Sequence, residues 1–411
     1  MQPANFFGRK VVAATFLMAV FGWGIGFYGP PIFLHAVIQR TGWPLQLCSA
    51  AVTLHFLAGI LVVVNLPKLY RRLGLPVTTV SGSVLLGVGI YGWSIAAQPY
   101  QLFIAATLSG LGWVTLGAAA VNAIISPWFV LKRPAALAMA YNGASIGGVL
   151  FSSAWVYLIE RIGFSHAALA IAILSITTLA VLALTVFRFR PEMLGQHADG
   201  AAQPPVQHTV APLAIDTPLW RDRRFVTLAA AMSLGLFAQI GLITHLFLIL
   251  VEHVSETRAG LAMGLATASA IVGRSLVGGL MPAGANRRNV ACLSYGCQLL
   301  GCLLMSGLGA FPELLWAGVI LFGAGIGNAT SLPPLIAQVE FPGQQTQRVV
   351  TLIVATAQGC YAFAPVLFGA LKSQVGTQQG ELVLLGSAAA IQGLAILALV
   401  WGKAKSAALS R

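Results

Sequence analysis

Long apolar runs alternate with short polar or charged segments along the whole chain. Hydrophobicity within the runs is continuous, which predicts helices and not the alternating strands of a membrane barrel. A bilayer-crossing helix needs about 20 apolar residues, and the runs are long enough. Charges and turn residues divide them into twelve predicted spans. These spans cover residues 11–38, 45–68, 76–97, 101–127, 134–158, 164–187, 225–252, 257–282, 288–309, 312–336, 346–371 and 381–403.

One long polar connection separates the sixth span from the seventh. It runs from Arg188 to Arg224 and is rich in Gly, Pro and Gln, a composition typical of linkers. We therefore predict a six-helix bundle over residues 1–188, a cytoplasmic linker over 189–223 and a second six-helix bundle over 224–411. An even number of spans places both termini on the same side.

The two predicted bundles share short sequence patterns. Leu108-Ser-Gly-Leu-Gly in the fourth span matches Leu321-Phe-Gly-Ala-Gly in the tenth, and Asn142-Gly143 matches Gln358-Gly359 in the spans that follow. Such a match indicates duplication. The expected fold class is an all-α membrane protein, with twelve transmembrane helices in two pseudo-symmetric six-helix halves around a central site, as in major facilitator transporters.

Composition supports a polytopic membrane protein. Of the 411 residues, 58% are hydrophobic and 8% are charged, whereas a soluble domain carries about 25% charged residues. The net charge of +13 does not indicate nucleic-acid binding, because 18 of the 23 Lys and Arg fall on one predicted side of the membrane. This bias orients both termini toward the cytoplasm. We expect an inner-membrane location, with the lipid bilayer as partner and no nucleic acid.

Arg274 is the one basic residue predicted to lie inside a span, near its middle. A permanently charged guanidinium at mid-membrane depth costs about 3 kcal/mol on insertion scales. A water-filled cavity, an acidic neighbour or a bound anion could offset this cost. No acidic residue lies in the interior of any predicted span, and a carboxylate suits the planar fork of donors. Arg274 is therefore the first candidate for substrate binding, against a structural arginine paired to backbone carbonyls.

Several stretches resemble the branch of the major facilitator superfamily that holds the monocarboxylate porters and the oxalate/formate antiporter. They are the Gly- and Trp-rich residues 21–30, Thr41-Gly-Trp-Pro-Leu-Gln, Pro127-Trp-Phe-Val-Leu-Lys-Arg133, residues 138–148 and Gly273-Arg274. The resemblance covers nearly the whole chain. It implies that Arg274 binds a substrate carboxylate and that the protein transports this substrate by alternating access.

This sequence departs from the branch at several functional positions. Ala270 and Phe21 stand where the porters have acidic residues, and Gln358 stands where the antiporter has a second cation. The motif after the second span, residues 67–74, has a basic residue in its acidic place. One permanent charge in the cavity favours a monocarboxylate over a dianion.

Polar residues at membrane depth are further candidates for hydrogen bonds to substrate, although such residues also join neighbouring helices. They are Tyr28, Asn122, Asn142, Gln239, His245, Asn328, Gln358 and Tyr361.

Proton coupling has four candidates, since the chain lacks intramembrane carboxylates and histidine titrates near neutral pH. They are His35, His55, His245 and Glu252. For each histidine, a neutral ring hydrogen-bonded between helices is an equal alternative. For Glu252, which shares a helix face with His245 and His253, the alternative is a solvated helix end.

Nucleotide-binding, serine-hydrolase and zinc-protease motifs are absent from the sequence. We expect no enzymatic activity, no cofactor and no metal site. The preferred hypothesis is a monomeric secondary transporter of a small organic anion, driven by proton symport or anion exchange. Two alternatives stay open, namely efflux of a lipophilic or cationic drug-like compound and a membrane sensor or scaffold.

Overall fold

The fold is described from a computed structural model of the chain. The described residues are 6–201, 219–281, 285–307, 313–341, 343–375 and 377–403. Both extreme termini, and residues 202–218 of the predicted linker, lie outside them. Regular structure in the described residues is entirely helical.

The described residues of the first half of the chain form six α-helices. They are α1 (Gly8–Gly26), α2 (Gly29–Thr41), α3 (Leu45–Ile95), α4 (Pro99–Trp113), α5 (Ala118–Ile125) and α6 (Arg133–Leu182). The second half forms seven. They are α7 (Arg223–Val251), α8 (Glu256–Leu280), α9 (Arg287–Ser306), α10 (Leu314–Glu340), α11 (Gly343–Tyr361), α12 (Ala364–Ser373) and α13 (Thr377–Trp401).

Two of these helices contain two predicted spans each. α3 breaks at Gly74, where φ is 77° and ψ is 164°, and α6 breaks at Gly163, where φ is 77° and ψ is 159°. Positive φ at these angles strongly favours glycine. The same conformation thus joins the second span to the third and the fifth to the sixth, as expected if each half contains two three-span repeats.

Ten helical segments in the described residues are long and apolar enough to cross a membrane. Two of them are the segments divided at Gly74 and Gly163, so the described chain holds the twelve predicted spans. Each observed boundary lies within a few residues of its predicted position. The predicted fold class is confirmed.

Three spans are discontinuous, and two of the breaks follow from proline. In an unbroken helix the carbonyls of Gly26 and Phe27 would accept from residues 30 and 31, but both are proline and have no N–H. α1 therefore ends at Gly26 and α2 begins at Gly29. Pro365 likewise removes the donor for the Tyr361 carbonyl between α11 and α12. In the fourth span, a 3-10 turn at Val114–Leu116 separates α4 from α5.

The described residues form two compact units. Unit 1 comprises Met1–His208 with Ser255–Gly264, and unit 2 comprises Thr209–Val254 with Leu265–Arg411. In unit 1, α3 packs most extensively against α4 and α6, and α1 packs against α6. In unit 2, α9 packs against α10 and α13, and α7 packs against α11 and α13. The first turns of α8 group with unit 1, a division that the apolar pattern does not indicate.

The start of the predicted linker is structured. Short 3-10 turns form at Pro191–Leu194 and Ala198–Gly200. The Asp199 carboxylate accepts the backbone N–H groups of Val130, Leu131 and Lys132 at 2.8–3.1 Å. These bonds hold the linker against the loop after the fourth span, which a linker composition alone does not predict.

Candidate functional site

The Arg274 side chain lies across the neighbouring helix α10. Its Nε donates to the carbonyl oxygen of Gly327 at 3.2 Å, and a Cβ at Gly327 would lie 3.1 Å from that Nε. The bond uses one of the five guanidinium N–H groups and fixes the plane of the fork. The contact is of the kind that a structural arginine makes, so the role of Arg274 in substrate binding stays a prediction.

The position of Arg274 along its helix differs from the prediction. It lies in the last third of α8 (Glu256–Leu280), not near the middle. Its partner Gly327, however, is the central residue of α10 (Leu314–Glu340). Side chains on a helix lean toward its N-terminus, which carries the guanidinium back from the end of α8. Measured along α10, the charged group is at mid-span depth.

A reciprocal bond runs from α10 to α8. Asn328 Nδ2 lies 3.4 Å from the carbonyl oxygen of Gly273 and 3.5 Å from that of Ala324. Arg274 and Asn328 thus each follow a glycine, and each donates to the glycine carbonyl of the other helix. This pairing fixes the register of the two helices at the level of the candidate site.

Small residues allow this close crossing. A Cβ on Gly273 would lie 2.1 Å from the carbonyl oxygen of Ala324, and a Cβ on Gly323 would lie 2.3 Å from that of Ala266. Only glycine permits such backbone contact.

Asn328 also lines a cavity within unit 2. The cavity has a volume of about 10 Å³, which suits one water molecule, and Ser294 and Tyr295 contribute to its lining. The Oδ1 of Asn328 is buried and has no hydrogen-bond partner among the described residues.

His55 is bound at the break in the first span. Its Nε2 lies 2.9 Å from the Gly26 carbonyl, the acceptor that Pro30 leaves without a partner. A carbonyl only accepts, so Nε2 carries the proton. The other ring nitrogen, Nδ1, lies 2.8 Å from Ser109 Oγ, and the ring stacks on Trp113. With both nitrogens used and the ring buried, the geometry favours a neutral structural histidine.

In unit 1, a polar group joins α5 to α6. Asn122 Nδ2 donates to the Tyr141 hydroxyl at 2.7 Å and to the Ala118 carbonyl at 3.0 Å. The Tyr141 ring packs edge-on against Trp23. Sequence reasoning selected Asn142, which is exposed, and missed Tyr141. The two positions differ by about 100° around the helix, and only packing shows which one faces the neighbour.

Gln239 belongs to a buried chain of three glutamines in unit 2. Gln298 Nε2 donates to Gln239 Oε1 at 3.2 Å, and Gln392 Nε2 donates to Gln298 Oε1 at 2.8 Å. The chain links α7, α9 and α13. This placement favours the helix-joining role over contact with substrate.

The remaining predicted substrate residues lie near helix breaks or against apolar side chains. Tyr28 is buried just before α2. His245 is buried, with Nδ1 2.8 Å from the Gly241 carbonyl and its ring stacked on Phe368. Tyr361 ends α11 and packs on the core of unit 2, and Gln358 is half-buried one turn earlier.

His35 contacts the first residue of α8 within unit 1. Its Nε2 lies 3.1 Å from Glu256 Oε1. Close by in sequence, the Thr257 hydroxyl donates to both carboxylate oxygens of Glu160 at 3.1 Å. Proton coupling by His35 stays a prediction, and its partner Glu256 was not selected from sequence.

Glu252 belongs to a cluster of four titratable residues in unit 2. Lys372 Nζ donates to Glu252 Oε1 at 2.9 Å, and His253 Nε2 lies 2.9 Å from Glu381 Oε2. Burial favours the neutral acid, yet hydrogen bonds with Glu381 and Lys372 hold the pKa of the Glu252 carboxyl below its ordinary value. Sequence reasoning missed Lys372 and Glu381, because their partners are more than 100 residues away in the chain.

The structure therefore divides the predicted residues between its two units. Unit 1 holds Tyr28, His35, His55, Asn122 and Asn142. Unit 2 holds Arg274, Gln239, His245, Glu252, Asn328, Gln358 and Tyr361. Hydrogen bonds join Glu252 to its cluster and bring Arg274 and Asn328 to the same crossing of α8 and α10.

The twelve apolar spans and discontinuous helices of the described residues define the class as a polytopic membrane protein. Residues 11–365 match the sequence family described as the Major Facilitator Superfamily. The chain belongs to this family, whose members are transporters and not enzymes.

Known transporters resemble the chain over different shares of its length. MFS transporter asaE of Aspergillus flavus is 26% identical over 340 residues, which cover 80% of this chain and 72% of the relative. Fujikurins efflux protein of Gibberella fujikuroi is 30% identical over 132 residues, which cover 32% of this chain and 28% of the relative. The solved D-xylose-proton symporter shares the fold, with a TM-score of 0.74 and 12% identity over 96% of this chain and 97% of its own.

Proposed function

We propose that this transporter moves a small organic anion, most simply a monocarboxylate, and that Arg274 binds the carboxylate. Proton symport or anion exchange supplies the driving force. The resemblance to the monocarboxylate porter and oxalate/formate antiporter branch supports this substrate class.

The observation that carries the proposal is the placement of the Arg274 guanidinium against the centre of α10. Neither α8 nor α10 has an acidic residue in its interior, because Glu256 and Glu340 are terminal. A permanent positive charge at this depth is costly without an anion or water. The Nε bond to Gly327 orients the fork for two parallel bonds to a carboxylate.

The test is uptake of radiolabelled lactate, pyruvate, benzoate and oxalate into proteoliposomes that contain the purified protein. Lysine keeps the charge at position 274 but cannot make paired donor bonds. Hydrogen bonds to charged groups contribute about 1.5–3 kcal/mol, so Arg274→Lys should lower transport efficiency about tenfold to a hundredfold. Oxalate should be the poorest substrate, since Gln358 supplies no second cation.

Arg258→Lys is the matched control, since Arg258 is an exposed arginine on the same helix. Its uptake should equal that of the unmodified protein. Undiminished uptake by Arg274→Lys would remove Arg274 from the substrate site.

Efflux of a lipophilic compound is the second candidate function. It is favoured by the similarity to a protein named Fujikurins efflux protein. A cationic compound has less support, because the acidic residues of the chain lie in loops, tails or span ends. Growth of a deletion strain separates the candidates. Broad sensitivity to toxic compounds supports efflux, whereas loss of growth on one organic acid supports anion uptake.

We further propose that the protein acts as a monomer in an inner membrane, with both termini in the cytoplasm. The support is the distribution of Lys and Arg between the loops. The relatives from Aspergillus flavus and Gibberella fujikuroi are fungal, and they support a eukaryotic membrane as the alternative location. Fluorescence of a C-terminal green fluorescent protein fusion tests the orientation, since this reporter matures only on the cytoplasmic side.

A further inference from the structure

Two carboxyl groups meet at the end of α7 in unit 2. Glu252 follows the last residue of α7, and Glu381 lies in the second turn of α13. The two carboxyl groups approach each other within reach of a hydrogen bond. Carboxylate oxygens only accept, so a hydrogen bond between two carboxyl groups requires a proton on one of them.

Burial determines which oxygen holds the proton. Glu381 is 9% exposed, and its Oε1 is buried with no donor among the described residues. Its other oxygen, Oε2, contacts His253 Nε2 at 2.9 Å. A buried carboxylate oxygen without a donor is costly, and a proton on Oε1 removes that cost.

A cation fixes the partner carboxylate. Lys372 is also 9% exposed, and its Nζ donates to Glu252 Oε1 at 2.9 Å. The stem of Lys372 packs against Gly380, where a Cβ would lie 3.0 Å from Cγ. The ammonium group keeps Glu252 ionised, so that Glu252 can accept the bond from protonated Glu381.

We propose that Glu252 and Glu381 bind one proton between them, with Lys372 and His253 as positioning residues. A hydronium ion transfers its proton to Glu381 Oε1 and leaves a water molecule, and the new O–H group donates to Glu252. His253, which is more exposed than Glu381, contacts both solvent and the pair.

The site supplies the proton for coupled transport, and this consequence rests on the proposed function. Proton binding by the two carboxyl groups does not depend on the proposed function. Unlike His55, whose ring nitrogens are both used in structural contacts, Glu381 retains an oxygen that has no donor among the described residues.

Infrared difference spectroscopy on purified protein in liposomes measures the protonated carboxyl stretch directly during a pH titration. The unmodified protein should show a stretch that disappears as pH rises. Glu381→Gln, which is isosteric, should lack it. The exposed Glu192→Gln is the control and should retain it. An unchanged stretch in Glu381→Gln would overturn the proposal.

A folding defect is distinguished by a second variant and by exchange. Glu252→Gln should shift the pH at which the stretch disappears, because the acceptor charge is lost. In proteoliposomes, Glu381→Gln should retain exchange of lactate, pyruvate or benzoate. It should lose the dependence of uptake on external pH, which we expect to change uptake about tenfold in the unmodified protein. If the unmodified protein exchanges none of these acids, the anion proposal fails and the infrared result still decides the proton site.

Discussion

At the residue scale, histidine illustrates how one side chain type takes different roles. His55 donates to the Gly26 carbonyl, which Pro30 deprives of its helical donor, whereas His253 contacts a buried carboxylate. Proline content and helix position were visible in the sequence. The donor to the freed Gly26 carbonyl was not visible in the sequence, since His55 lies on a different helix.

We expect His55→Phe to destabilise the protein by about 1–3 kcal/mol, because Gly26 is left as a buried carbonyl without a donor. Phenylalanine keeps a ring to stack on Trp113. The melting temperature of the purified protein checks the effect. The exposed His166→Phe is the control and should melt like the unmodified protein. Equal melting of both variants would show that Gly26 needs no bond from His55.

At the element scale, the lengths of the spans were predictable because apolar length alone determines whether a helix crosses a membrane. The rotation of each helix was not. Tyr141 and Asn142 are adjacent polar residues in the same span, and only the position of Asn122 on α5 shows that Tyr141 is the one in contact. Likewise, the sequence places Arg274 in α8, but its contact with Gly327 could be predicted only with knowledge of how α8 crosses α10.

The crossing makes Gly327 a sensitive position. A Cβ there would lie 2.6 Å from the Ala270 carbonyl oxygen and 3.1 Å from Arg274 Nε. Gly327→Ala should therefore separate the helices and misplace the guanidinium. Overpacking of this kind costs about 1–3 kcal/mol and should lower anion uptake in proteoliposomes.

Gly386→Ala is the matched control for Gly327→Ala. Gly386 lies within α13, and a Cβ there meets no atom within 4 Å. Relief of backbone freedom should leave its stability equal to or above that of the unmodified protein. Loss of uptake in both variants would mean that glycine is needed for general flexibility and not for the contact with Arg274.

At the scale of the whole molecule, the basic residues that predict orientation also hold unit 2 together. Arg288 is 2% exposed, and its guanidinium bonds both oxygens of Glu340 at 2.6 and 2.8 Å. It also donates to the Arg224 carbonyl and to the Thr227 hydroxyl, and so joins α7, α9 and α10. The charge distribution predicted a cytoplasmic residue at this position but not a buried ion pair.

The division into units shows a similar limit. Sequence duplication predicts two halves, but the first turns of α8 group with unit 1 through local contacts such as that of Gly260 with Val156. Hydrophobic length carries no information about such packing. The fold could therefore be predicted at the level of spans, and the site only at the level of single candidate residues.

The ion pair between Arg288 and Glu340 leads to a prediction about the stability of unit 2. Glu340→Gln leaves a buried guanidinium without its counter-charge, which costs about 3–5 kcal/mol. The double variant Arg288→Met with Glu340→Gln removes the charge as well and should recover much of that loss. Melting temperatures of the purified variants check both expectations. Glu313→Gln, at an exposed helix end, is the control. Equal melting temperatures of Glu340→Gln and Glu313→Gln would show that the ion pair does not stabilise the unit. A lower melting temperature of the double variant than of Glu340→Gln would assign the stability to the backbone contacts of Arg288.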